Sequence, residues 1–573
     1  MGVARGGLPL STTWREAVVV GSGFGGSITA CRLAQRWPGA VVVIERGRRY
    51  PMGSFPRTPG EMARNTWSVG AGEAGRVAPE NRGLFEARRA GRMDVVLAAG
   101  VGGGSLVYSN VFLEPPPEIF DDARWPRSCT TASLAPYYAV AKEVLGARPV
   151  PRDDANRRIR RTEVFDRAAE HMGRPVVAAE VNVFFGDSAV PPGTEAVNAY
   201  GALQTACTYC AECNIGCNLH AKNTLDLNYL HRAEHAHGAT ILSDHLVEAI
   251  VPLDGNGHPS PGGDGTNGFL VTSRDLESGR VVELRSRRVV VAAGTLGTVE
   301  LLLRCRDVHG GLARLPASLG EGFSGNGDFL MFVRGIPEPT DPCRGPVITR
   351  YIDHGLFDRP RTEGFVMQDS GYPALLAWFI EGAKPEVLKL RAITDAIQRC
   401  FARSVLGRTG GRVGSSAAAL LRHGLTEGSA VLLCMGRDTA TGTLALASDG
   451  RLTGSWPRRA NRSLYRAVLA AGEAFKTATG AAAVFATPTW WLPFRRNVTV
   501  HALGGCRLAE DPTAGVVRAD PTHFGEVFGY SNLYVADGSM VPTALGANPA
   551  ATIAALAERV AEGITGRPPD AAL

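Results

Sequence analysis

The chain has 573 residues, more than one ordinary domain of roughly 100–200 residues accommodates. Its 45% hydrophobic and 20% charged residues exclude a disordered chain, and its 69 glycines and 36 prolines, without a collagen period, call for many tight turns. A net charge of +6 with no dense Lys/Arg tract argues against a nucleic-acid protein.

Residues Met1–Arg15 carry no apolar signal core. No run approaches the roughly 18–20 apolar residues of a membrane span. The expected setting is cytoplasmic. The first strong element is Ala17–Gly21, a short apolar run of the kind a buried parallel strand shows. The turn Gly21-Ser-Gly23-Phe-Gly-Gly26 follows, with a helix predicted over Ser27–Arg36 and a second strand over Ala40–Glu45. Residues 50–95 read as an irregular excursion. Beyond a cysteine-rich stretch, a helix is predicted over Asn223–His237, and strands over Leu246–Pro252, Gly268–Ser273 and Arg280–Leu284. A buried strand, Arg288–Ala293, then leads into a helix over Leu296–Arg304. Residues 329–491 show no clear order. The pattern returns at the C-terminus and ends in a helix over Pro549–Glu562. This alternation predicts a doubly wound α/β domain interrupted by long insertions that form a second lobe.

The glycine turn has a mechanical rationale. Gly21 permits the tight turn, Gly23 lets a pyrophosphate approach the backbone, and Gly26 lets helix and strand pack closely. The phosphates then meet a helix N-terminus, which favours an anion. Glu45, 24 residues after Gly21, is placed to accept hydrogen bonds from ribose hydroxyls. At this point FAD and NAD remain open, and Arg46, Arg48 and Arg49 are available to a 2′-phosphate.

Further motifs are Gly100-Val-Gly-Gly-Gly-Ser-Leu-Val107, Val500-His501-Ala-Leu-Gly504-Gly505-Cys506, Asn532-Leu-Tyr-Val-Ala-Asp537-Gly538-Ser539 and Gly546-Ala-Asn548-Pro549. With the glycine turn, and in this order, they resemble the glucose–methanol–choline (GMC) family of FAD oxidoreductases, most closely its bacterial cholesterol-oxidase branch. The resemblance implies FAD, with Gly21, Gly23, Gly26 and Glu45 holding the adenosine end and Val251 near the adenine. It places Gly102, Gly103, Gly104, Ser105 and Asn110 against the isoalloxazine, within a flavin-covering loop at 95–112. Asp537 and Gly538 would bind the pyrophosphate or ribityl chain, and His501 and Asn548 would face the substrate oxygen. The fold it implies is a Rossmann-like FAD-binding domain with a β-meander, formed by 14–50, 230–327 and 497–567. An α+β substrate lobe, 51–229 and 328–496, interrupts it.

The chemistry follows from residue types. Imidazole titrates near neutrality, so His501 suits the hydroxyl proton of an alcohol. Asn548 offers an amide to the substrate oxygen or the flavin, and it also suits the cap of a helix whose first position is Pro549. The rival readings are a satisfied core histidine at His501, a pure cap at Asn548 and a turn aspartate at Asp537. In the cholesterol-oxidase branch a glutamate isomerises the steroid double bond, and by chain order Glu381 is the candidate here; an exposed structural glutamate competes with it.

Cys207, Cys210, Cys213 and Cys217 have the spacing of ferredoxin-like iron–sulfur sites. The cholesterol-oxidase pattern lacks such an insert, which is similar instead to cysteine clusters in flavin sugar dehydrogenases. Zinc, disulfides and packed thiols compete. A cluster would make the protein a dehydrogenase feeding an electron carrier; without one, oxygen is the acceptor. Residues 386–406 form a basic amphipathic pattern, read either as a peripheral membrane contact or lid or as a core-packed helix. The leading expectation is FAD-dependent oxidation of an apolar alcohol, a 3-hydroxysteroid first. The rivals are an iron–sulfur-assisted alcohol or sugar dehydrogenase, a catalytically silent flavin-binding partner protein and an NAD(P)-dependent reductase.

Overall fold

The computed structural model describes residues 14–68, 77–151, 158–357, 363–377, 426–491 and 493–573. Strand β1 (Arg15–Val20), helix α1 (Phe24–Arg36) and strand β2 (Val41–Ile44) form a βαβ unit. Val18, Val19, Val42 and Val43 are fully buried. Such runs are apolar on both sides because helices cover both faces of a parallel sheet. Strands β3 (Thr240–Leu242), β4 (His245–Pro252), β5 (Phe269–Asp275) and β6 (Val281–Val291) follow, then helix α2 (Thr295–Asp307). Strand β7 (Leu533–Val535) and helix α3 (Ala550–Thr565) complete the domain.

The sheet runs β3-β2-β1-β6-β5-β4, with β7 also on β6. Strands β3, β2, β1, β6 and β7 are parallel, and β6, β5 and β4 form an antiparallel meander. Two predicted strands, Arg280–Leu284 and Arg288–Ala293, are in fact one. The first half of β6 pairs with β5, and its second half pairs with β1 and β7. Its burial changes accordingly, from alternating around Glu283–Arg287 to continuous over Val289–Val291. The partner switch explains why the sequence reads as two patterns.

The helix predicted over Asn223–His237 is also corrected, since only Tyr229–His235 is α-helical. Upstream, the polar groups are committed elsewhere: the Asn223 amide donates to Leu145 O at 2.8 Å and Leu225 N donates to Ser105 Oγ at 3.1 Å. Tertiary hydrogen bonds take the place of helical ones.

Helices α1 and α3 pack across the domain. The Arg32 guanidinium grips Glu558 with two bonds of 2.8 and 2.9 Å, and Tyr229 OH donates to the same carboxylate at 2.7 Å. A second sheet of six antiparallel strands forms the other lobe, in the order Ala483–Ala486, Phe329–Arg334, Ser429–Gly436, Phe365–Ser370, Arg350–Asp353, Val176–Ala178. Among the described residues no helix is long and apolar enough to cross a membrane. Glu381 and the 386–406 segment lie outside the described residues.

Candidate functional site

The site begins at the glycine turn after β1. Gly21 has φ +96°, and a Cβ there would lie 2.3 Å from Ala292 O. A Cβ at Gly26 would lie 2.0 Å from Gly21 O, so α1 touches the turn it springs from. A Cβ at Gly23, by contrast, meets no atom of the described residues within 4 Å. Gly23 heads α1, whose first turn has neither a side-chain cap nor an acid. An uncapped helix head beside open space suits a pyrophosphate.

Glu45 fastens this turn. One of its oxygens accepts from Ser22 N at 3.0 Å and Ser22 Oγ at 2.7 Å, the other from Gly47 N at 2.8 Å. Burial pushes its carboxyl above the usual range. Arg46, Arg48 and Arg49 are engaged with Glu86, Asn65 and Glu234, so the arginines considered for a 2′-phosphate are committed to protein partners.

The 100–110 loop lies directly on the turn. Gly102 N donates to Ser22 Oγ at 3.1 Å, and a Cβ at Gly103 would stand 2.5 Å from the Gly23 Cα. Ser105 Oγ donates to Gly102 O at 2.7 Å, which curls the loop, and Gly104 faces open space. Asn110 is fully buried at φ +67°, with neither amide atom of its side chain hydrogen-bonded. A buried amide without partners costs on the order of 1–3 kcal/mol, which a polar ligand beside it would relieve. Val251 sits on β4, opposite Leu270.

Asp537 ties three segments together. One oxygen accepts from Gly294 N at 2.9 Å and from Thr298 Oγ1, at the head of α2; the other accepts from Ser539 N at 2.8 Å, beyond Gly538.

His501 is half-buried, and its Nδ1 lies 2.7 Å from Asp328 Oδ1. The other Asp328 oxygen accepts from Thr499 Oγ1 at 2.8 Å and Val500 N at 3.0 Å. Asp328 is almost fully buried, and the sequence reading missed it. Two residues upstream, Asn326 donates to Ala547 O at 2.8 Å and accepts from Leu545 N and Gly546 N at 2.8 and 3.0 Å. The short segment Asn326–Asp328 therefore holds both the His501 loop and the loop that presents Asn548. Gly504, at φ +80°, continues the link by donating its N–H to Gly538 O at 3.0 Å.

Asn548 does not cap α3. Pro549 takes the cap position, where no side chain bonds, and the Asn548 Oδ1 instead accepts from Gln368 Nε2 at 2.7 Å. The Gln368 amide draws the side chain away from the helix head.

Cys207, Cys210, Cys213 and Cys217 line one small cavity with Glu212, Lys222 and Gly345. All four are free thiols, so the disulfide alternative is overturned. Among the described residues no group of three or more His, Cys, Asp or Glu side chains is placed to hold a metal ion, and the iron–sulfur reading finds no support. Burial pushes the Cys207 and Cys217 thiols up and Cys210 to about 12. Cys207, Cys213 and Cys217 pack instead with Val111, Val181, Phe185 and Ile348. Lys222, also missed, is buried and donates to the carbonyls of Leu106 at 3.0 Å and of Tyr108 and Cys213 at 2.9 Å, pinning the cysteine loop to the 100–110 loop.

Comparison with known proteins accords with this geometry. Residues 194–306 match the N-terminal domain, and residues 458–557 the C-terminal domain, of the family described as GMC oxidoreductase. A cholesterol oxidase of Acinetobacter baumannii is 28% identical, over 95% of this chain and 93% of its own. A long-chain-alcohol oxidase of Arabidopsis thaliana is 23% identical, over 96% of this chain and 66% of its own. The fold is shared with the formate oxidase of Aspergillus oryzae, a structure described for its FAD modification, at a TM-score of 0.59 and 12% identity over 97% of this chain and 98% of that one. Both family domains match in order and the chain aligns over nearly its whole length with a cholesterol oxidase, which supports a GMC-type oxidoreductase, an enzyme acting on CH–OH groups.

Proposed function

We propose that the chain binds FAD and oxidises an apolar alcohol to its carbonyl, with a 3-hydroxysteroid or long-chain alcohol as substrate and oxygen as final acceptor. The substrate class and the acceptor follow the names of its relatives, cholesterol oxidase and long-chain-alcohol oxidase. The observation that carries the proposal is the Asp328–His501 pair, held by one segment together with the loop of Asn548.

The cofactor reading fits the residues present. The open, uncapped head of α1 at Gly23 suits the pyrophosphate, and the unpartnered Asn110 amide suits a polar ring edge. Bound FAD supplies the hydride acceptor. In this reading His501 accepts the hydroxyl proton at Nε2, because Nδ1 is occupied by Asp328, which fixes the tautomer and stabilises the imidazolium that forms. Asn548, its oxygen committed to Gln368, has Nδ2 left to donate to the alcohol oxygen. The head of α3 adds a positive dipole end beside it. The isomerising step expected of Glu381 forms no part of the proposal, because that residue lies outside the described residues.

The test is anaerobic mixing of the flavin-loaded protein with 3β-hydroxysteroids and with long-chain primary alcohols. His501→Ala should leave flavin bound and slow its reduction by about 10²–10⁴-fold, the usual contribution of a general base. Reduction at the wild-type rate would refute the assignment.

A further inference from the structure

Behind Asn548 stands a second buried amide. Gln368 is fully buried in the middle of strand Phe365–Ser370, every residue of which is buried. Its Nε2 donates to Asn548 Oδ1 at 2.7 Å, while its own Oε1 has no hydrogen-bond partner. The backbone of the Asn548 loop is fixed independently, by Asn326 through Leu545, Gly546 and Ala547. What that fixation leaves open is the terminal torsion of the Asn548 amide, which is broad and roughly two-fold. Its two ends are chemically opposite: one donates hydrogen bonds, the other accepts them.

We infer that Gln368 is the positioning residue that decides which end of the Asn548 amide meets the substrate. With Oδ1 committed to Gln368, the end left for the alcohol oxygen is the donor Nδ2. An amide turned the other way would set its NH₂ against Gln368 Nε2, two donors facing each other, and would turn an acceptor toward the oxygen that gives up its proton to His501. The inference rests on the reading of Asn548 as substrate-facing. It adds the reason for a neutral carboxamide at position 368: glutamine donates at every pH, whereas a carboxyl group donates only while protonated.

Gln368→Glu tests this with nearly the same shape. The protonated acid can make the same bond to Asn548 Oδ1; the carboxylate cannot, and attracts Nδ2 instead, turning the amide. Burial raises a carboxyl pKa, so the donating form persists well above the usual range. In the flavin-loaded enzyme, the ratio of variant to wild-type flavin-reduction rate should fall about tenfold or more as pH rises through the titration of the introduced carboxyl, the scale of one lost hydrogen bond to a charged or reacting group. The thermal midpoint of the variant relative to wild type should fall as pH rises from the ordinary carboxyl range, where the unfolded chain ionises, up to the titration of the introduced carboxyl in the folded protein, a readout that needs no alcohol. Gln368→Met, which removes the donor without adding a titratable group, should lower the rate about tenfold at every pH.

A rate ratio for Gln368→Glu that stays flat with pH, or a Gln368→Met enzyme at the wild-type rate, overturns the inference while wild-type alcohol oxidation stands. If no alcohol reduces the wild-type flavin, the functional reading itself fails, and the inference with it.

Discussion

Replacing Asp328 by Asn is the sharpest probe of how the histidine is armed. The substitution keeps the shape but exchanges one acceptor oxygen for a donor NH₂. In the native protein one oxygen of Asp328 takes Thr499 Oγ1 at 2.8 Å and Val500 N at 3.0 Å, and the other faces His501 Nδ1 at 2.7 Å. The asparagine oxygen will stay with the two donors, because reversing it would place its NH₂ against Val500 N–H. The NH₂ then points at Nδ1, which must become the acceptor and pass its proton to Nε2. The nitrogen needed to accept a proton from the alcohol is then blocked. A hydrogen bond to a charged group is worth about 1.5–3 kcal/mol, and each 1.36 kcal/mol is tenfold in rate. The bond alone therefore accounts for about 10- to 150-fold, and the wrong tautomer pushes the loss to the upper end. We expect flavin reduction in rapid anaerobic mixing to slow about 10²-fold, with flavin content and thermal midpoint near wild type because Thr499 and Val500 keep their acceptor. A rate within about threefold of wild type, well under one hydrogen bond's worth, would refute the role given to the pair.

In the scaffold, Glu558→Ala strands the buried Arg32 guanidinium between α1 and α3. The expected loss is about 3–5 kcal/mol of unfolding free energy, read by denaturant titration; a loss under about 1 kcal/mol, the scale of an exposed pair, would show that the ion pair is not effectively buried. Alkaline pH should also destabilise the fold. Burial raises Cys31 and Cys305 from 9.0 to about 12, so above pH 9 the unfolded state binds fewer protons than the native one and stability falls with rising pH, by about 1.4 kcal/mol per group per pH unit. A Cys31→Ala/Cys305→Ala double variant should show a shallower fall between about pH 9 and 11 in thermal melts; an identical slope would exclude these thiols as the cause.

Much of the dinucleotide half was legible because its determinants are local. Strand β1, the turn Gly21–Gly26, helix α1, strand β2 and the acid Glu45 follow one another without interruption from Arg15 onward. A strand buried on both faces announces itself by composition alone. His501 and Asn548 were visible for a similar reason, each sitting in a short glycine-rich motif.

The amino-acid order alone was thus enough for the βαβ unit, the family and the two residues read as nearest the chemistry. Their company came only with the folded chain. Asp328 reaches His501 across 173 residues and Gln368 reaches Asn548 across 180, and no local periodicity encodes a contact between two loops, or between a loop and a strand, so far apart. The same holds where the expectations failed. Strand β6 read as two because its halves serve different partners, and the Asn223–His237 helix was cut short by hydrogen bonds to Leu145 and Ser105. The cysteine spacing is that of a metal site, but spacing does not report packing: among the described residues no group of metal ligands is placed, and Cys207, Cys213 and Cys217 pack with Val111, Val181 and Phe185. Local sequence sets the conformation of a turn; which distant side chain satisfies a buried polar atom is fixed only when the chain has closed around it.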